Sequence, residues 1–227
     1  MGTALNRDTT IEINTNPGGT ASYSRIATGI SNKDTNGNEV VSQNTFDDGD
    51  GHGSSTVTGK QTIIALTGER RLDDVSQNYI ADLIDILGDA RLTDIKKWDA
   101  NGQLVECPIT IANIIIEGGA SGDAAVFSAE LHFNGAPDTT PPVPASALTA
   151  TIVLTDGLVT ITATPDAGNE LRYSVTGAAA STPNAMTVSL NSRTYKGPFA
   201  ATAGKYVNVY ECKYGTRIIK FKTSVLV

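Results

Sequence analysis

The side chains able to do chemistry are few in this 227-residue chain, and they lie far apart. The two histidines are His52, in the loop Asp47-Asp48-Gly49-Asp50-Gly51-His52-Gly53, and His132, in the run AVFSAELHF. The loop invites a test against calcium, because an EF-hand needs alternating oxygen ligands, a sixth-position Gly and a twelfth-position bidentate Glu. Counted from Asp48, the sixth residue is Gly53 but the twelfth is Gly59. Without that carboxylate the segment reads as a solvated loop between strands, with a weak or accidental cation site as the alternative. Asp82, Asp85 and Asp89 pose a similar choice, metal or solvated helix face, and their place off a helical apolar stripe favours the face. Cys107 and Cys212 have no neighbouring His at a ligand spacing and read as two free thiols. No nucleophile elbow and no phosphate-cradling loop is present. The chain is therefore read as no enzyme, with no cofactor, metal or catalytic residue expected.

Charge separates the chain into two parts. Residues 1–136 hold 19 Asp and Glu against 9 Lys and Arg, whereas residues 137–227 hold 5 against 8. An acidic first part repels a polyanion, which argues against nucleic-acid binding through phosphate neutralisation. It leaves room for a surface past which DNA slides without sticking. No apolar run reaches the roughly 18 to 20 residues that span a bilayer. The start MGTALNRDTT lacks the basic and apolar regions of a secretory signal, so a cytosolic origin is expected.

The elements that position these residues are mostly strands. From Ala125 the chain alternates, with Ala125, Phe127, Ala129, Leu131 and Phe133 on one side and Val126, Ser128, Glu130 and His132 on the other, a period-2 pattern with one face in a core. CPITIANIII precedes it, across a loop of Gly and small polar residues, so the two form a long antiparallel hairpin. Ile111 and Ile115 on one side and Ile114 and Ile116 on the other make the first arm apolar on both faces near the turn. Such an arm needs cover twice, by its own core and by another element or subunit. Upstream, Thr9–Asn14 and Tyr23–Ile30 read as strands, SNKDTNGN as a turn cluster, Glu39–Phe46 as a strand, and Ser54–Glu69 as one long strand with a bulge at Gly59. The single helix runs from Asp73 to Gly88, with Val75, Tyr79, Leu83 and Leu87 as its apolar stripe, early aspartates and Gly88 as its stop. LTDIKKW and QLVECPITI follow, joined through Asn101-Gly102.

Four prolines at 137, 141, 142 and 144 mark a stiff connector unable to join a sheet ladder, so a domain boundary is placed there. The expected division is a β-sandwich or barrel domain over 1–136 with one flanking helix (about 73–88), a linker over 137–144, and an immunoglobulin-like β-sandwich over 145–227. The second domain shows the strands ALTATIVLT, LVTITAT, ELRYSVT, AMTVSL, KYVNVYEC and TRIIKFKTSV. In the last of these Ile218, Lys220, Lys222 and Ser224 form a basic side, against Ile219, Phe221, Thr223 and Val225. It lacks the Cys, Trp and Cys constellation of antibody domains. Tyr173, Tyr195, Tyr206, Tyr210 and Tyr214 read either as an aromatic platform for sugars or as half-buried strand residues.

The first 140 residues resemble the tail tube (major tail) proteins of long-tailed bacteriophages. The similarity lies in the opening GTALNRDTTIEINT, the segment GNEVVSQNTFDDGDGHGSSTVTG before a long strand, the single helix, and the closing strand AVFSAELHFNGAP. The resemblance implies a β-sandwich or small barrel with one helix. It further implies hexameric rings stacked into a hollow tube, the conduit for DNA ejection, with DNA passing through the lumen without specific binding. Its implied partners are copies of itself, the tape measure protein, the tail terminator and the distal tail proteins. Its location would be the virion tail, assembled in the host cytoplasm. The second domain is similar to decorations carried outside some such tubes. On this reading Glu130, His132 and Ser128, on the polar side of the last strand, face an acidic lumen. Asp47, Asp48, Asp50 and His52 are assigned to contacts between stacked rings. The alternative is a carbohydrate-binding or adhesive surface protein whose second domain is the binding module, and a third is a monomeric decoration or tail-completion protein.

Overall fold

The computed structural model describes residues 5–45, 52–188 and 191–225. The chain is mostly β with one α-helix, as its alternating pattern requires. It divides into one compact unit of Leu5–Lys97 and Val105–Thr139 and another that includes Trp98–Leu104 and Thr140–Val227.

The first unit is built on strands β1 (Thr10–Asn14), β2 (Tyr23–Arg25), β3 (Ile30–Asn36), β4 (Glu39–Thr45), β5 (Gly53–Lys60), β6 (Ile63–Glu69), β7 (Leu92–Trp98), β8 (Leu104–Ile115), β9 (Val126–Phe133) and β10 (Asp138–Thr140). One large sheet runs in the order β2-β1-β7-β8-β9-β6-β3, with β10 added to β8, while among the described residues β4 and β5 pair only with each other. The alternation of β9 holds as written: Phe127, Ala129, Leu131 and Phe133 are buried with Ile109, Ile111, Ile64, Leu66, Ile11, Ile13 and Ile95. Each Leu, Ile or Phe among them contributes roughly 1.5–3 kcal/mol on full burial, which fixes the register, since a one-residue slip would expose the whole set.

The doubly apolar arm has a local cause. Ala112 pairs with Glu130 and Ile115 with Ser128, so β8 carries one extra residue there, and Asn113 sits at φ 49°. A bulge of this kind turns the side chains after it, and Asn tolerates the left-handed backbone. Ile115 is half-exposed beyond it.

The helix is shorter than its pattern predicts. Helix α1 covers Val75–Ala81, capped by the Asp74 carboxylate, which accepts from the Gln77 N–H at 2.9 Å. Beyond it the chain turns through i→i−3 bonds, Leu83 N to Ile80 O and Ile86 N to Leu83 O. The Arg91 guanidinium donates to Ile86 O at 2.6 Å and Ile84 O at 2.9 Å, satisfying carbonyls that a longer helix would have paired internally. Gly88 therefore opens a 3-10 turn (Gly88–Arg91) and does not end α1. The buried side is Ser76, Gln77, Ile80, Ala81 and Leu83, while Val75 and Leu87 of the expected stripe are exposed.

Three further expectations are corrected. Residues 31–36, read as a turn cluster, belong to edge strand β3, whose pairing with β6 from Ile30↔Gly68 to Asn36↔Ile63 overrides their turn propensity. The long strand from Ser54 breaks after Lys60 into β5 and β6, in different sheets. The irregularity near Gly59 is present, with Val40 opposite Gly59 and Val41 opposite Val57. Between the prolines, Asp138–Thr140 does join a ladder, because these three residues keep the N–H groups that proline lacks.

In the other unit, β11 (Ser146–Ala147), β14 (Glu170–Thr176), β15 (Arg193–Thr194), β17 (Tyr206–Lys213) and β18 (Arg217–Val225) form one sheet in the order β11-β18-β17-β14-β15. A second sheet has the order β12-β13-β16, from β12 (Thr151–Thr155), β13 (Leu158–Thr162) and β16 (Phe199–Ala200). Val159 and Ile161 of one meet Val207 and Val209 of the other in a shared core. Asp156 and Gly157 both have positive φ, 51° and 77°, as a two-residue hairpin turn of the primed type demands. AMTVSL yields no strand among its described residues, only an isolated bridge from Val188 to Arg217. In β18 the expected two sides are scrambled by a bulge: Glu211 pairs with Lys220 and Cys212 with Ile218, so Ile219 is extra and both Ile218 and Phe221 are buried.

Candidate functional site

The apolar side of the large sheet is occupied by its core, which leaves the opposite side as the face available for function. Glu12 stands across from Arg25, and Asn14 from Tyr23, on that face. Lys96 of β7 bridges to Glu106 of β8 at 2.9 Å and lies over the Tyr23 ring, 4.7 Å from its centroid. The Glu106 partner holds the Lys96 ammonium above its ordinary value. On β9, Glu130 accepts from the Asn113 amide at 2.7 Å and pairs with His132 Nε2 at 2.8 Å. The His132 bond, reinforced by Asn113, holds the Glu130 carboxyl below its ordinary range. Asp34, opposite Ala65 on β3, and Asp94, two residues before Lys96, extend the same face. It thus carries Asp34, Asp94, Glu106, Glu130 and the buried Glu12 against Arg25 and Lys96, so acids outnumber bases on this sheet surface.

The predicted trio Glu130, His132 and Ser128 lies together on this face, each half-buried. Of the second group, Asp47, Asp48 and Asp50 lie outside the described residues, and His52 is exposed just before β5. The sequence reading missed the partner that positions Glu130. Asn113 was legible only as a polar residue interrupting an apolar run, and its role depends on the bulge.

Three surfaces of this unit lack the cover that a strand or an apolar side chain normally finds. The sheet ends at β2 and at β3, each paired on one side only among the described residues. The hairpin β4–β5 is exposed along nearly its whole length, with Val40, Val41 and Val57 at 61%, 49% and 54%. Beside the β8 bulge, Ile84, Ile114, Ile115 and Ile116 line a hollow of about 420 Å³.

The tyrosines of the other unit form no common platform. Tyr173 stacks on Phe199 with centroids 3.8 Å apart, Tyr195 meets both edge-on, and all three pack against the core. Tyr210 packs on Phe221 instead. A cavity of about 270 Å³ near Tyr173 is rimmed by Ser174, Asn191, Arg193 and Thr202. Buried Glu211 accepts from the Asp166 N–H and the Asn169 amide and pairs with Lys220 at 3.1 Å, so it fixes the turn before β14. Buried Arg217 donates to the carbonyls of Asp99 and Met186, which ties Trp98–Leu104 into this unit. Cys107 and Cys212 are buried and not joined in a disulfide, and burial pushes the Cys107 thiol up. Among the described residues no group of three potential ligands is placed to hold a metal, and no helix is long and apolar enough to cross a membrane.

No family model matches the chain, and no curated protein matches it. Among solved structures it is similar to a chain from the tail of an empty gene transfer agent particle refined with C6 symmetry. That match has 14% identity and TM-score 0.48, and covers 61% of this chain and 100% of the other. A chain from the virion of a native gene transfer agent matches over the same shares at 16% identity and TM-score 0.47. A chain of the activated phage p2 baseplate matches over 96% of this chain and 87% of its own length, at 11% identity and TM-score 0.37. All three scores are too low to establish a shared fold.

Proposed function

We propose that the chain is a structural protein of a virus tail that assembles with copies of itself, as stacked hexameric rings, into a tube through which DNA is ejected. One observation carries the reading: a sheet with one apolar, buried face, one face richer in acids than bases, and at each end a strand that pairs on one side only among the described residues. A ring of such sheets satisfies the end strands by pairing between copies and turns one face of every copy inward. An inward acidic face carrying Glu130, His132 and Ser128 repels the phosphate backbone, so DNA moves past without adhering. The exposed valines of β4–β5 and the isoleucine hollow supply the apolar area that contacts between copies need. Residues 145–227 form a decoration domain on this reading, and tape measure, terminator and distal tail proteins are its further partners.

Negative-stain microscopy of the purified chain, from dilute to concentrated protein, tests it. Hollow tubes or six-fold rings are the expected result. A protein that stays monomeric at every concentration overturns the reading.

A further inference from the structure

The two compact units interleave along the chain. Trp98–Leu104, the link between β7 and β8, belongs with Thr140–Val227 and not with the large sheet on either side of it in sequence. The link is a formed turn: the Asp99 carboxylate accepts from the Asn101 and Gln103 N–H groups, both at 2.9 Å, and the Asp99 N–H donates to Gln103 O at 3.1 Å. It fills a seat made by residues 184–188 and the start of β18. Arg217, 1% exposed, donates to Trp98 O and Asp99 O of the turn and to Met186 O of the seat. The Val188 N–H donates to Ala100 O at 3.1 Å, and the Thr187 hydroxyl to Asn101 O at 2.8 Å. The fit is close, since a Cβ on Gly102, at φ 89°, would lie 2.1 Å from Ala185 O. On its far side the seat is bonded to β18, with the Met186 N–H donating to Ile218 O at 2.7 Å and the Ile218 N–H to Thr187 O at 3.0 Å.

The dependence runs one way. Without the turn, Arg217 keeps one of these three carbonyls, and the Val188 N–H and the Thr187 hydroxyl lose the ones they donate to, at a cost in free energy for each buried donor. The core of the first unit, by contrast, takes no residue from 98–104 or from 140–227. We propose that residues 140–227 are no self-sufficient domain: the turn carried between β7 and β8 is a built-in part of their fold, while the first unit folds without them. The proline-rich stretch is then a tether and not the border of an independent module. This concerns the fold of one chain and holds whatever the chain assembles into. On the tail reading, the decoration domain is displayed only by copies whose first unit is folded.

Amide hydrogen exchange of the full chain, read by mass spectrometry, tests it. Gly102→Val strains the turn at a positive φ and drives a side chain toward Ala185 O. Amides of β17 and β18 should then exchange about tenfold faster or more, while those of β9 keep their wild-type rates. Wild-type protection of β17 and β18 in this variant overturns the proposal. Arg217→Met perturbs the seat from the other side and should speed exchange across residues 98–104, with β9 again unchanged. Wild-type exchange of that turn overturns the proposal as well. If Gly102→Val also frees β9, the first unit has unfolded and Arg217→Met alone decides. Faster exchange of β9 in both variants would mean that the chain unfolds as one body, which overturns a one-way dependence.

Discussion

The hairpins β8–β9 and β4–β5 share one kind of local structure and have opposite fates. In β8–β9 alternate residues are apolar and buried, Cys107, Ile109 and Ile111 before the bulge and Phe127, Ala129, Leu131 and Phe133 opposite, with Leu131 at 0% exposure, and both strands gain neighbours in the large sheet. In β4–β5 the sequence EVVSQNT and its partner GSSTVTGK offer valines on a mainly polar ribbon, and among the described residues no third strand adds to it. A two-stranded ribbon is marginal in water by itself. The difference teaches that strand formation and strand burial are separate properties. The first hairpin is held by the core of its own chain, while the second presents apolar area that a second molecule would complete.

The largest test of that contrast is Leu131→Ala, which removes a fully buried side chain from the centre of β9. It should cost about 2–5 kcal/mol in urea unfolding. A loss below about 1 kcal/mol would mean that β9 contributes little more than β4, and the contrast would fall. The double variant Val41→Asp with Val57→Asp should leave monomer stability within about 0.5 kcal/mol, as exposed substitutions do. The same variant should abolish ring or tube formation seen by microscopy. Assembly at the wild-type level would mean that the ribbon is no contact surface.

The smallest effect concerns the acidic face. Glu130 has its folded pKa below the ordinary 4.5 because His132 and Asn113 bond its carboxylate. A lowered folded pKa contributes stability that is fully present above the ordinary carboxylate range and lost as pH falls through the folded value. Glu130→Gln should therefore lower neutral stability slightly, leave stability at acid pH nearly unchanged, and so flatten the acid limb of the profile below about pH 5. An identical acid limb in wild type and variant would remove the proposed role of the Asn113 bulge.

Several elements were legible because a one-dimensional pattern recorded them. The alternation of β9, the Asp156-Gly157 turn and the existence of a single helix all follow from local spacing. Where the reading failed, distant groups had intervened. Arg91 pairs the carbonyls after α1 and so permits an end well before Gly88. Residues 31–36 became a strand because β6 supplied a ladder, and the basic side of β18 was broken by one extra residue at Ile219. The candidate face was half-legible: Glu130, His132 and Ser128 share a side by alternation, but Glu12, Lys96 and Glu106 join them only through β1, β7 and β8.

By itself the sequence determined that this is an all-β chain with one helix, an acidic first part, and a β9 strand whose one face had to be buried. Those properties depend on neighbours within a few residues and on composition, which a linear chain carries intact. Tertiary structure alone decided which strand lies beside which, where bulges turn a side chain over, and which charges meet across strands. Such outcomes depend on groups tens of residues apart, and their free energies are realised only when the chain brings those groups together.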